Sequence, residues 1–303
     1  MRFRALSVTL KLSHQLKLSK FFTPALIITV SGVLSLFGTG CFLQGGHVDK
    51  RVVALPAIYD PQLKIGTAAH ALLSEEVFNE LVVEIQPVGD FAPAPASLEN
   101  LRTFLIQHLA KSGGITYQTN AALPASGIDH YTIADVRRLE SRNRKNYAKD
   151  KRISVFILFA DGSSVTDEEK QKLLGHAHLS TSIVIYEKTI QDIAWDPAEA
   201  PRINLETAIL EHEFSHLLGL VDNGSPEQSQ HRDLDHRYHC NNPECLMHYS
   251  LGSVEVGPAL SKVPTLDQAC EDDLRANGGK TVIIPPVVVP EPSPEPTAPP
   301  VFP

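Results

Sequence analysis

Apolar and polar positions alternate in blocks along this chain, and the blocks change period. FNELVVEIQPV, from Phe78 to Val88, is a mostly apolar run of strand length. SLENLRTFLIQHLAK follows with apolar residues at helical spacing, Ser97 as the expected N-cap, and Glu99 and Asn100 in the first turn. ITYQT, Ile115 to Thr119, predicts a second short strand, and YTIADVRRLESRNRKNYA a second helix whose Arg and Lys side chains face water. RISVFILFADG is a nearly continuous β-branched and aromatic run, suited to a strand buried on both faces. STSIVIYEKTI, Ser180 to Ile190, predicts another strand. NLETAILEHEFSHLLGLV then predicts a long helix capped by Asn204, with Ile209, Leu210, Phe214, Leu217 and Leu218 on its apolar positions. Strands alternating with helices predict an α/β (α+β) fold in which this helix packs on a twisted mixed sheet.

The two ends read differently. The first forty residues hold five Lys or Arg and no carboxylate, and FFTPALIITVSGVLSLFGTGCFL follows from Phe21, so residues 1–41 are expected to be an export signal or a retained anchor. Gly38-Thr39-Gly40-Cys41 resembles a bacterial lipobox with Gly38 in place of the usual Leu, which makes Cys41 a candidate for lipidation. Residues 42–80 are expected to be a linker region and 81–280 the folded domain. The tail 285–303 is too proline-rich to pack. Without the five leader cations, 22 of the 27 basic residues face 35 acidic ones, a balance near −13 that argues against a nucleic-acid partner.

The chemistry concentrates in ILEHEFSHLLGLVDNG, Ile209 to Gly224. His212 and His216 stand one helical turn apart, so both imidazoles project from the same face and can share one ion. Glu213 between them is placed to take a proton from water and return it to a leaving amine, the requirements of amide hydrolysis. Gly219 falls where the helix must stop and turn. For the third ligand the residues leave Asp222, His231, His236 and His239 open; six of the 13 histidines lie between 212 and 248.

H-E-x-x-H-x-x-G resembles the metzincin clan of zinc peptidases, and HCNNPECLMHYS, His239 to Ser250, resembles archaemetzincins in joining a His to Cys, four residues, Cys, one residue and Met. The resemblance implies a metzincin-like zincin with a small C-terminal subdomain after the glycine turn. It also implies one catalytic Zn2+ on His212, His216 and His239 (alternatively Asp222), Glu213 as base and acid, Met247 as an apolar floor beneath the ion, and Tyr249 near the ion or the oxyanion. Nineteen residues separate Gly219 from His239, a polar insertion relative to that family. Archaemetzincins hold a second zinc with four cysteines; with only Cys240, Cys245 and Cys270 here, that site is expected to be incomplete and a disulfide to replace it, Cys245 with Cys270 or Cys240 with Cys245. The expected function is peptide-bond hydrolysis by an exported, membrane-anchored metallopeptidase, with STSIVIYEKTI as the sheet edge that binds peptide or protein substrate main chain to main chain. The alternative is a non-catalytic surface protein with a structural zinc.

Overall fold

A computed structural model describes residues 62–168, 171–194, 200–251, 253–255 and 260–280. The export segment, Cys41, most of the linker region and the proline-rich tail lie outside these residues. In chain order the elements are α1 (Ala69–Leu73), β1 (Glu80–Pro87), α2 (Pro95–His108), β2 (Gly114–Thr119), β3 (His130–Tyr131), α3 (Ile133–Asn143), β4 (Arg152–Phe159), β5 (Ser163–Ser164) and β6 (Gln171–Leu173). They continue with β7 (Gly175–Leu179), β8 (Ser182–Ile185), α4 (Glu187–Ile193), α5 (Ala200–Leu217), a 3-10 turn at Tyr249–Leu251, β9 (Ser253–Glu255) and α6 (Gln268–Ala276).

Five strands form the main sheet in the order β2-β1-β4-β8-β7, the first four parallel and β7 antiparallel to β8. This is the mixed α/β architecture that the alternating blocks predict. β4 shows why its sequence is apolar throughout. Ile153, Val155, Ile157 and Phe159 enter the larger core with α5, while Phe156 and Leu158 enter a second core with Val136 of α3. Leu72 and Leu73 of α1 join the larger core, so the packed body begins ahead of Leu81. Among the described residues no helix is long and apolar enough to cross a membrane.

Several local expectations are corrected. Ser97 does not cap α2: Ala94 is the N-cap with Pro95 behind it, since proline's fixed φ and missing N–H suit a first turn, and Ser97 is buried with its hydroxyl on the Ile203 carbonyl. Asn204 is no cap either; α5 already runs from Ala200, and the Asn204 amide donates to Leu260 O at 3.0 Å. The second helix spans only Ile133–Asn143, opened by a Thr132/Asp135 capping box. Its basic run is not wholly solvated, because Arg144 is buried and bonds Glu140, Ser154, Thr181 and Ser182. STSIVIYEKTI is not the sheet edge: β8 is four residues long, α4 follows from Glu187, and β7 folds back to cover β8. GHAHL, with no β-branched residue, forms the edge strand.

Candidate metal centre

α5 is buried along most of its length, and its last two turns carry His212, Glu213 and His216 into a cleft beneath the edge of β7. Gly219 ends it at φ +81°, where the Gly219 N–H bonds His216 O and the Gly219 carbonyl accepts from Asn223 and Ser225. A side chain here is excluded twice, by the left-handed φ and because a Cβ would stand 2.5 Å from Ser225 N. The chain then loops through residues 220–238 and returns at His239, fastened by Cys240 N–H to Met247 O at 2.8 Å and Asn241 N–H to His231 O at 2.8 Å.

This return brings one nitrogen each of His212, His216 and His239 within 4.8 Å of one another. The rings meet at centroid separations of 4.8, 5.1 and 5.3 Å. His212 Nδ1 donates to the Leu246 carbonyl at 2.7 Å, and its Nε2 is buried with no hydrogen-bond partner. His239 Nδ1 is likewise held by Arg237 O at 3.0 Å. A backbone acceptor that fixes one ring nitrogen leaves the other free as a ligand atom. Burial pushes His212 down to about 4, His216 well below its ordinary value and His239 down as well, each further lowered by neighbouring histidine charge, so all three are neutral lone-pair donors at pH 7. The donor set fits a zinc ion, a three-imidazole site with space for a further ligand.

Glu213 lines the same cleft, and its Oε2 accepts from the Ala177 N–H of β7 at 2.7 Å. Burial raises this carboxyl to about 7, only partly opposed by that hydrogen bond, which poises it to hold or release a proton near neutrality. Tyr249 also lines the cleft, stacked on His236 at 3.6 Å between centroids. Met247 is fully buried in the core behind the site. Asp222 stands apart from the three histidines, exposed and paired with Arg232 at 3.0 Å. His236 turns outward to Asp233 at 2.8 Å.

His231 belongs to a second group, with Cys240, Asp267 and Cys270. Its Nδ1 lies 3.6 Å from both sulfurs, and Cys245 Sγ lies 3.7 Å from Cys270 Sγ. These separations correct the expected disulfide: the three thiols are unbonded. With Zn–S of about 2.3 Å and Zn–N of about 2.0–2.1 Å, a tetrahedral site has edges of roughly 3.5–3.8 Å, so this spacing fits a metal rather than a bond. Hydrogen bonds from the neighbouring thiols and from the Met247 and Asp267 N–H groups hold Cys245 down at about 4, the thiolate of the set. His231, from the loop 220–238, is the imidazole of this set. In the sequence His231 is one of four open candidates for the first ion's third ligand, and nothing local distinguishes it from its neighbours.

No protein-family model matches the chain, and no curated protein matches it. Among solved structures it is similar to the crystal structure of an archaemetzincin from Methanopyrus kandleri, with 17% identity over 65% of this chain and 94% of that one and a TM-score of 0.44.

Proposed function

We propose that the protein is a zinc-dependent peptidase, exported and held at a membrane by its N-terminal segment. The observation that carries the reading is the buried, unpartnered Nε2 of His212, grouped with ligand nitrogens of His216 and His239 beside the raised carboxyl of Glu213. His212, His216 and His239 would hold the ion, which supplies Lewis acidity toward a peptide carbonyl and toward water. Glu213 receives the attacking water's proton at Oε1, since Oε2 is occupied by the Ala177 N–H, and passes it to the departing amine nitrogen. The free edge of β7 offers main-chain partners to an extended peptide. Tyr249 is proposed to steady the tetrahedral oxygen, and Met247 to floor the site. His231, Cys240 and Cys270, with Cys245 or Asp267, are proposed to hold a second, structural zinc that ties the insertion to α6.

A purely structural role for the first site fits poorly, because a closed structural site has no use for a buried acid with one free oxygen in an open cleft. The test is a peptide-library digest with and without chelator. Chelator-sensitive cleavage is expected, lost in Glu213→Gln at unchanged zinc content; undiminished cleavage by that variant refutes the role of Glu213.

A further inference from the structure

The cleft does not end at the histidines. Its pocket there, about 250 Å³, shares Ile65, Asn223 and Tyr238 with a second pocket of about 330 Å³ at the Leu179 end of β7. Three observations in this second pocket point to one ligand chemistry.

The first is His178. A bulge between Ala177 and Leu179 inserts it as an extra residue in β7, and such bulges re-aim side chains. Here the ring turns inward: it is buried, its Nε2 bonds Glu140 Oε2 at 3.0 Å, and its Nδ1 is buried without a partner. Glu140 is fixed in turn by Arg144 at 2.7 Å and by the Ser182 hydroxyl at 2.6 Å, so the imidazole cannot swing away to find another partner. His178 lines the pocket, and its held ring carries a nitrogen that no group among the described residues satisfies, a polar demand beside the pocket wall.

The second is the pair of cations on the same pocket, Lys64 and Arg137. Both are exposed, and among the described residues neither has a carboxylate partner; Arg137 spends one donor on His178 O at 3.3 Å and keeps the rest of its fork. Of the arginines of α3, Arg138 pairs with Asp135, whereas Arg137 lines the cleft.

The third is sign. The chain carries a net charge of −8, yet the only carboxylate lining either pocket among the described residues is Glu213, and Arg237 adds a further cation beside the histidines. An acidic protein with a basic cleft attracts anionic ligands there and repels them elsewhere.

Resting on the peptidase reading above, we infer that the Lys64–Arg137–His178 pocket is a subsite for a carboxylate of the substrate, so that the enzyme selects acidic peptides. Its position follows from strand geometry. Glu213 is fixed opposite Ala177, and Leu179 lies two residues farther along β7. The bulge compresses Ala177 to Leu179 to a single step of β8, Ile183 to Ser182, so the carboxylate sits one or two residues from the bond that is cut. A side-chain carboxylate and a chain-terminal one share this chemistry.

The experiment uses the full chain as zinc-loaded Glu213→Gln, with binding of fluorescent peptides read by anisotropy, and wild-type cleavage of the same peptides in parallel. The peptides differ only in carrying Glu, Gln or Lys one or two positions to either side of the central bond, each made with a free or amidated C-terminus. Glu peptides are expected to bind about tenfold or more tighter than Gln ones, and Arg137→Glu or Lys64→Glu to erase or invert that order while Arg137→Lys keeps it. A preference that follows the free C-terminus retains the subsite and makes its carboxylate the chain end. No binding, equal binding of all peptides, or an order unmoved by both charge reversals overturns the inference. Acidic preference in binding with no cleavage by wild type would sink the peptidase reading alone; cleavage without charge preference would sink the subsite alone.

Discussion

His231 Nε2 lies 2.9 Å from Asp273 Oδ2, while Nδ1 of the same ring faces two cysteine sulfurs at 3.6 Å. A carboxylate on one imidazole nitrogen fixes the ring and strengthens the other nitrogen as a ligand. Asp273 is fully buried and reaches Gln228 N–H with its second oxygen at 2.7 Å, so the insertion is fastened to α6 through one side chain.

Two zinc ions per chain are therefore expected by native mass spectrometry. Cys270→Ser should leave one, His216→Ala should leave the other, and the double variant none. Asp273→Asn should weaken the thiol site about tenfold to a hundredfold in competition with a chelator, while leaving the three-histidine site intact. A wild-type chain with a disulfide under non-reducing conditions and a single ion would contradict the whole assignment.

The third ligand of the first ion is the next point that measurement decides. His239 stands with His212 and His216, whereas Asp222 is an exposed loop acid paired to Arg232. His239→Ala is expected to lose the catalytic ion and all cleavage. Asp222→Ala should retain both and alter stability by under about 1 kcal/mol, the usual worth of an exposed ion pair. Zinc content of the two purified variants gives the answer; retention by His239→Ala would return the choice to the loop.

How much of this was legible in the sequence follows from distance along the chain. His212, Glu213 and His216 lie within one helical turn, and a helix repeats so regularly that spacing alone gives their common face. Gly219 was readable because a left-handed turn admits few other residues. His239 came through its link to Cys240, Cys245 and Met247. The thiol site was misread because its ligands come from three segments, around 231, 240–245 and 267–270, that only tertiary folding gathers. The sheet edge was misassigned for a different reason. GHAHL has no β-branched residue, and it forms a strand because β8 needs a partner, so packing overrides its weak propensity. The burial of Arg144 was hidden by Glu140, four residues earlier, since a helix surface pair and a buried ion pair share that spacing.

A pH dependence follows from a second buried cluster, at the start of α5. Glu187 and Glu206 are both fully buried and share one guanidinium, Arg202, at 2.7 and 3.7 Å. One cation cannot neutralise two buried carboxylates, so burial and the neighbouring Glu187 charge push Glu206 up to about 8. Because the folded-state value lies above the unfolded one, the proton bound here stabilises the fold fully below about pH 4.5, and that contribution is lost as pH rises toward 8. Glu206→Gln keeps an oxygen for the Ala94 N–H, which Glu206 Oε1 accepts at 2.9 Å, and removes the titration. Urea midpoints measured from pH 5 to 8 should fall more steeply for wild type than for Glu206→Gln. The difference should be of the order of 3 kcal/mol across that range, since each unit of pKa shift is worth about 1.4 kcal/mol. Parallel curves for the two proteins would mean that both carboxylates are ionised throughout.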